Sequence, residues 1–156
     1  VGGVTDDDRG MRELERRLLQ LEGLEVRVGV LQPLPTEDGE STVAVVAVAN
    51  EYGTRNVPQR SFLGRTIDGE REAIAGLQAR AIDKVIAGEL NPDQAAAAVG
   101  AKVASMTRET IRSSVPPALA PETIMRKGHD RTLVEHGQLL RAVTFEVGAK
   151  GAGGGA

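Results

Sequence analysis

Residues 43–64 read VAVVAVANEYGTRNVPQRSFLG, and the assignment of their first half decides the fold. The segment TVAVVAVAN (42–50) is apolar at almost every position and follows the turn-rich QPLPTEDGEST (32–42). A short apolar run bounded by turn residues reads as a strand with both faces covered. Just before it, LEVRVGVL (24–31) alternates apolar and polar residues, the pattern of a half-buried strand. The two segments therefore predict an antiparallel hairpin with a long loop. From Asn50 onward the stretch turns polar and dense in Arg, Pro, Gly and Asn, yet it holds the only Tyr and one of two Phe in the chain.

Working outward, MRELERRLLQLEGL (11–24) places Met11, Leu14, Leu18 and Leu21 on one stripe, which predicts a short amphipathic helix ended by Gly23. The acidic residues just ahead suit its positive N-terminal end. Helical spacing returns from Phe62 to about Ala87, with Ile67, Ile74, Leu77, Ala81 and Val85 on one face. A second long helix starts at NPDQ, where Asn91 suits the N-cap, Pro92 the first turn and Gln94 the capping box. Ala95, Val99, Val103 and Met106 form its small-residue face, and the prolines of SSVPP end it. A helical turn is expected at 121–127, stopped by Gly128, and another around 136–141. RAVTFEV (141–147) reads as a final strand that rejoins the hairpin. The expected fold is α+β: a small, mostly antiparallel sheet of three to four strands packed against two long helices, with a short N-terminal helix. The organisation expected is a flexible segment 1–10, one domain over 11–148 and a flexible Gly-rich tail over 149–156.

With 156 residues, one domain is expected to bury roughly 70% of its unfolded surface. The composition, 40% hydrophobic and 26% charged, is that of an ordinary soluble protein, and 2% aromatics require a core of Val, Leu, Ile and Ala. No apolar run approaches the ~18 residues of a membrane span, and the acidic start lacks the features of a secretory signal. Zero Cys excludes disulfides and thiolate chemistry. A net charge of −3 supplies no basic field for nucleic acid as the main partner.

Motifs of catalysis are equally scarce. His129 and His136, with Asp130 and Glu135 nearby, match no helical zinc spacing. Ser61 and Ser105 stand in no nucleophile elbow, and the pairs Asp68/Glu70 and Glu22/Glu25 read as solvated faces. There is no phosphate-binding glycine loop. The basic groups Arg55/Arg60/Arg65 and Arg126/Lys127/Arg131 lack interleaved aromatics and read as solvated faces or salt-bridge partners. No metal or cofactor is expected.

Two segments carry a resemblance. VANEYGTRNVPQRSFLGRTID (48–68) resembles a strand followed by Asn/His-Glu-Tyr/Phe-Gly-Thr, a short link, Pro-x-Arg-x-Phe-Leu and a long helix. Further on, LAPETIMRKGHDRTLVEHGQLLRAVTFEV (119–147) is similar to Leu-Ser-Pro-x-Thr-Ile-x-x-Lys-Gly, then Leu, Gly and Leu, then a terminal strand. In this order the two resemble the tail-completion (virion morphogenesis, neck) proteins of long-tailed bacteriophages, over roughly residues 43–147. The chain departs from that pattern at EHG (135–137), where the family often has Asp-Thr-Gly, and at Ala120, where it often has a capping Ser; a lost cap costs ~1 kcal/mol.

The resemblance implies a non-enzymatic virion part at the neck or head-proximal end of the tail, assembled in the host cytoplasm. It implies a homo-oligomeric ring, six-fold or twelve-fold, touching tail terminator, tail tube or head-closure proteins, with DNA at most passing through the channel. The matching positions supply the interface or loop-shaping candidates. Gly53 allows a sharp turn and Pro58 stiffens the approach. Arg60 offers donors to a neighbour's carboxylates, to carbonyls at an element end, or to Glu51 or Glu70. Phe62 and Leu63 anchor the loop in the core or in an adjacent subunit, and Tyr52 suits an interface. Lys127, Gly128 and Gly137 complete the set. The rivals are a related connector (tail terminator or head-closure protein) and a small cytoplasmic enzyme or ligand-binding domain using Glu51, Tyr52 and His136.

Overall fold

The computed structural model describes residues 8–128 and 137–151 of the chain. Helix α1 (Arg9–Glu22) begins two residues ahead of the expected domain start. Glu13 accepts hydrogen bonds from Arg16 and Arg17 at 2.8–2.9 Å. Those donors, Arg16 first, hold its carboxyl well below its ordinary range, at about 2. Although α1 is strongly amphipathic in sequence, none of its residues is buried.

Strand β1 (Leu24–Val30) follows, and its neighbour is the last of the described elements rather than the next. It pairs antiparallel with β2 (Val143–Ala149), in a register that sets Val26 opposite Val147, Val28 opposite Phe145 and Val30 opposite Val143. Among the described residues the sheet therefore has two strands, not three to four, and the hairpin expected from 24–31 and 42–50 does not form. Of the tail expected to be loose from residue 149, Ala149 belongs to β2 and the Lys150 amide donates to the Gly23 carbonyl at 2.8 Å, while residues 152–156, like 1–7, lie outside the described residues.

The segment assigned to a second strand is helix α2 (Val43–Tyr52). Thr42 caps it, its side chain accepting from the Val45 amide at 3.3 Å. A run that is apolar all round fits both the strand and the helix period, so patterning cannot choose between them. The helix satisfies its own backbone without a neighbouring strand, and it puts Val43, Ala47 and Glu51 on one buried stripe.

The single helix expected over 62–87 is broken at Glu70 into α3 (Phe62–Gly69) and α4 (Arg71–Ile86). Gly69, a poor helix former, sits at the break. The break also takes Ile67 out of the expected stripe and leaves it exposed, whereas Val85 is fully buried. Helix α5 (Pro92–Arg112) opens with the full capping box. The Gln94 amide donates to Asn91 Oδ1 at 2.8 Å, and the Asn91 amide to Gln94 Oε1 at 3.0 Å. Helix α6 (Pro121–Lys127) ends at Gly128 in the left-handed conformation, φ 73°, and α7 (Gln138–Ala142) follows Gly137 at φ 70°.

The fold is α+β, with α5 as its axis. One side of α5 meets the sheet, where Gly100 admits Phe145 and Val26, and the other meets α3 and α4. The main core gathers Phe62, Ile111, Val115, Leu139 and Val143 with Val43 and Ala47 of α2. Among the described residues no helix is long and apolar enough to cross a membrane.

Candidate functional site

The loop between α2 and α3 is built around one carboxylate. Because α2 is helical, Glu51 lies two turns beyond Val43 on its inner stripe and points at the start of α3. Its Oε1 accepts from Ser61 Oγ at 2.6 Å and the Gly64 amide at 3.0 Å. Its Oε2 accepts from the Phe62 and Leu63 amides at 2.9 and 3.0 Å. These are the orphan amides of a helix N-terminus, where a negative charge is also favoured by the dipole. A carboxylate has about four lone-pair sites, and all four are taken here. Glu51 is therefore a cap, with no lone pair left to act as a base.

The intervening chain is closed by its own hydrogen bonds. The Arg60 amide donates to the Asn50 carbonyl at 2.6 Å, the Thr54 amide to the Val57 carbonyl at 2.8 Å, and Gln59 Nε2 to the Glu51 carbonyl at 3.1 Å. Gly53 turns the chain at φ 75°, and a Cβ there would stand 3.0 Å from the Gln59 amide nitrogen. Both the dihedral and the contact call for glycine.

Arg60 is only 7% exposed. Its Nε donates to the Pro117 carbonyl at 2.8 Å and its Nη2 to the Ala118 carbonyl at 3.4 Å. Of the partners considered in sequence, the carbonyls at an element end are the ones it meets; neither Glu51 nor Glu70 bonds to it. Burial pushes the guanidinium below its ordinary value. Arg60 thus ties the loop to the segment that leads from α5 into α6.

Phe62 is fully buried in the core of its own chain, and Leu63 packs against that core half-buried. Thr66 continues the anchoring, its hydroxyl 2.8 Å from that of Thr110 on α5. Tyr52 and Pro58 face solvent. The structure therefore joins Glu51, Gly53, Arg60, Phe62 and Leu63 in one assembly and leaves Tyr52 on its outer surface. Lys127 and Gly128 close α6, and Gly137 precedes α7. His129, Asp130, Arg131, Glu135 and His136 lie outside the described residues, and with them any joint site with Glu51 and Tyr52. Among the described residues no group of three or more His, Asp or Glu is placed to hold a metal ion.

Two features escaped the sequence reading. The acceptors of Arg60 at 117–118 left no local signal, since they lie almost sixty residues away. The outer stripe of α2, Val45 and Val48 leading to Tyr52, was hidden by the strand assignment, although Glu51 at helical spacing from Val43 and Ala47 is a signal for it. Compared with family models, with curated proteins and with solved structures, the chain matches none.

Proposed function

We propose that this chain is a structural virion protein of a long-tailed bacteriophage, placed in the neck or at the head-proximal end of the tail. It acts as a homo-oligomeric ring that completes the tail and supports joining to the head. Its neighbours in the particle are tail terminator, tail tube or head-closure proteins, and DNA passes through the channel without being a specific ligand. It catalyses nothing and needs no cofactor.

The observation that carries this reading is the state of the Asn50–Leu63 loop. Two of its three charged groups are spent on its own shape, Glu51 on the α3 amides and Arg60 on the Pro117 and Ala118 carbonyls, while Arg55 faces solvent. Just ahead of it, α2 presents an exposed apolar stripe, Val45 and Val48, that ends in Tyr52, a residue type suited to interfaces. The loop thereby resembles an assembly element more than a reactive cleft. The full occupancy of Glu51 also weighs against the enzyme or ligand-binding rival, which needs that carboxylate free.

The test is location and phenotype. Mass spectrometry and gold labelling of purified virions are expected to find the chain at the head–tail junction, and a null allele should leave unjoined heads and tails. A chain absent from particles, with normal virion yield from the null allele, defeats the proposal. Labelling at the tail end itself or on the head portal side distinguishes the terminator and head-closure variants of the same reading.

A further inference from the structure

Among the described residues the sheet consists of β1 and β2 alone, so each strand has one edge that pairs with no other strand. The phase of the ladder fixes which groups those edges present. The Lys150 amide donates to the Gly23 carbonyl in the register of the strands, which makes Gly23 and Lys150 a bonded pair. Bonded and non-bonded pairs alternate in an antiparallel ladder. Arg27 and Gly29 therefore bond to β2, and Leu24, Val26, Val28 and Val30 turn their N–H and C=O groups away from it. None of these outward groups has a hydrogen-bond partner among the described residues. The opposite edge is partly closed: Val143 presents its carbonyl there, and Arg108 of α5 donates to it at 2.6 Å.

The free edge of β1 runs beside a cavity of about 360 Å³. Leu24 and Val26 line it together with Leu21 of α1, Ile82 of α4, and Ala96 and Val99 of α5. No residue of β2 contributes, so the cavity opens on the unpaired side of β1. Residues directly opposite each other on neighbouring strands share a face of the sheet. A strand added to β1 thus turns every second side chain to the face of Leu24 and Val26, and into this apolar space. Native edges are usually blunted by prolines, inward charges or a covering helix. Leu24–Val28 has no proline, and its charged side chains, Glu25 and Arg27, lie on the other face.

We infer that the edge of β1 at Leu24–Val28 docks an extended segment of another protein, which adds as a third strand and seats an aliphatic residue in the cavity. Main-chain bonds hold a segment added in this way, and a pocket at alternate positions selects it. The chain's own remaining residues are poorer occupants. Residues 152–156 read AGGGA, with no side chain larger than a methyl group and three glycines, which are disfavoured in strands. Residues 1–7 read VGGVTDD and join at the far end of α1, about 20 Å along the helix from Leu21. Residues 129–136 lead into α7, whose Leu139 belongs to the main core at the Val30 end of β1. The inference stands apart from the phage reading, because an open edge beside an apolar cavity is a property of this chain in solution.

The probe is a synthetic, end-capped peptide of alternating Thr and Leu, added to the isotope-labelled full chain and followed by NMR. It should shift the amides of Leu24–Val30 and of the cavity lining, Ile82 and Val99 above all, and leave α6 unmoved. With peptide at about ten times its dissociation constant, exchange of the Val26 and Val28 amides should slow about tenfold. Arg27 and Gly29, already bonded to β2, should change little. Two N-methylated peptides separate strand addition from mere filling of the cavity. Methylation at the Leu amides blocks an antiparallel addition and at the Thr amides a parallel one, so one version should lose binding and the other keep it. Ala81→Leu narrows the cavity from α4 and should weaken the peptide about tenfold; Ala81→Met replaces it if it does not fold, and the methylated pair needs no variant. Equal behaviour of the two methylated versions overturns the inference, and so does a peptide that shifts nothing at ~1 mM. Val26 and Val28 amides as slow as that of Arg27 before any peptide is added also overturn it. Such protection assigns the edge to the chain's own residues if it is independent of protein concentration, and to a second copy if it grows with concentration.

Discussion

The three amides that Glu51 caps lie 11 to 13 residues downstream, so this side chain joins two helices where an ordinary N-cap serves its own first turn. Replacing Glu51 with Ala leaves three amides and a hydroxyl without their acceptor in a half-buried setting. The expected loss is about 2–4 kcal/mol, since bonds to a charged acceptor are the stronger kind. Glu51→Gln keeps one acceptor oxygen and should cost roughly half as much. Urea unfolding measures both, and an unchanged midpoint for the Ala variant would refute the capping role. Arg60 invites a different expectation from the one its sequence suggests. A residue that served only a neighbour could be removed without harm to the monomer, but this one is buried against carbonyls of its own chain. Arg60→Ala should destabilise the monomer by about 1.5–3 kcal/mol. Arg60→Lys should not restore it, because a single ammonium cannot reproduce the planar fork. A melt of Arg60→Ala coincident with the wild type would show that the guanidinium is dispensable to the fold.

Among the elements, α5 and α2 behave in opposite ways. The start of α5 was legible because Asn91, Pro92 and Gln94 act within one turn of each other, through bonds between side chain and nearby backbone. Its middle holds a constraint that local preference misjudges. Gly100 lies in a helix interior, where Ala would gain about 1 kcal/mol in propensity. A Cβ there would meet Phe145 Cδ2 at 2.5 Å and Val26 Cγ1 at 2.9 Å, and overpacking of this kind costs about 1–3 kcal/mol. The two strand side chains are held from behind by the sheet, so the steric term is expected to win. Gly100→Ala should lower stability by about 1–2 kcal/mol in urea titration, and a stabilised variant would mean that β2 can shift away. Helix α2 offered no comparable local signal. Four Val and three Ala in its first seven residues satisfy either period, and only the inward placement of Glu51 marks the helical one.

At the level of the molecule, α5 is the member that most other elements touch, while α1 lies against α4 and α5 with no buried residue. Stability is therefore distributed unevenly. In native-state hydrogen exchange of the dilute chain, α5 amides around Val103–Ile111 should be the slowest and α1 amides the fastest. Uniform protection across α1 and α5 would contradict the packing described. What the sequence by itself determined is whatever acts over a few residues. That includes the α+β class, the alternation of β1, the N-terminus of α5 and the stop of α6 at Gly128. Tertiary structure alone decided that α2 is a helix, that β1 pairs with β2 from the far end of the chain, and that Arg60 closes on Pro117 and Ala118. The physical reason is range. Caps, turns and amphipathic periods are set by neighbours in the chain. A uniformly apolar segment, a strand's choice of partner and a buried guanidinium's choice of acceptor are set by whichever groups packing brings near.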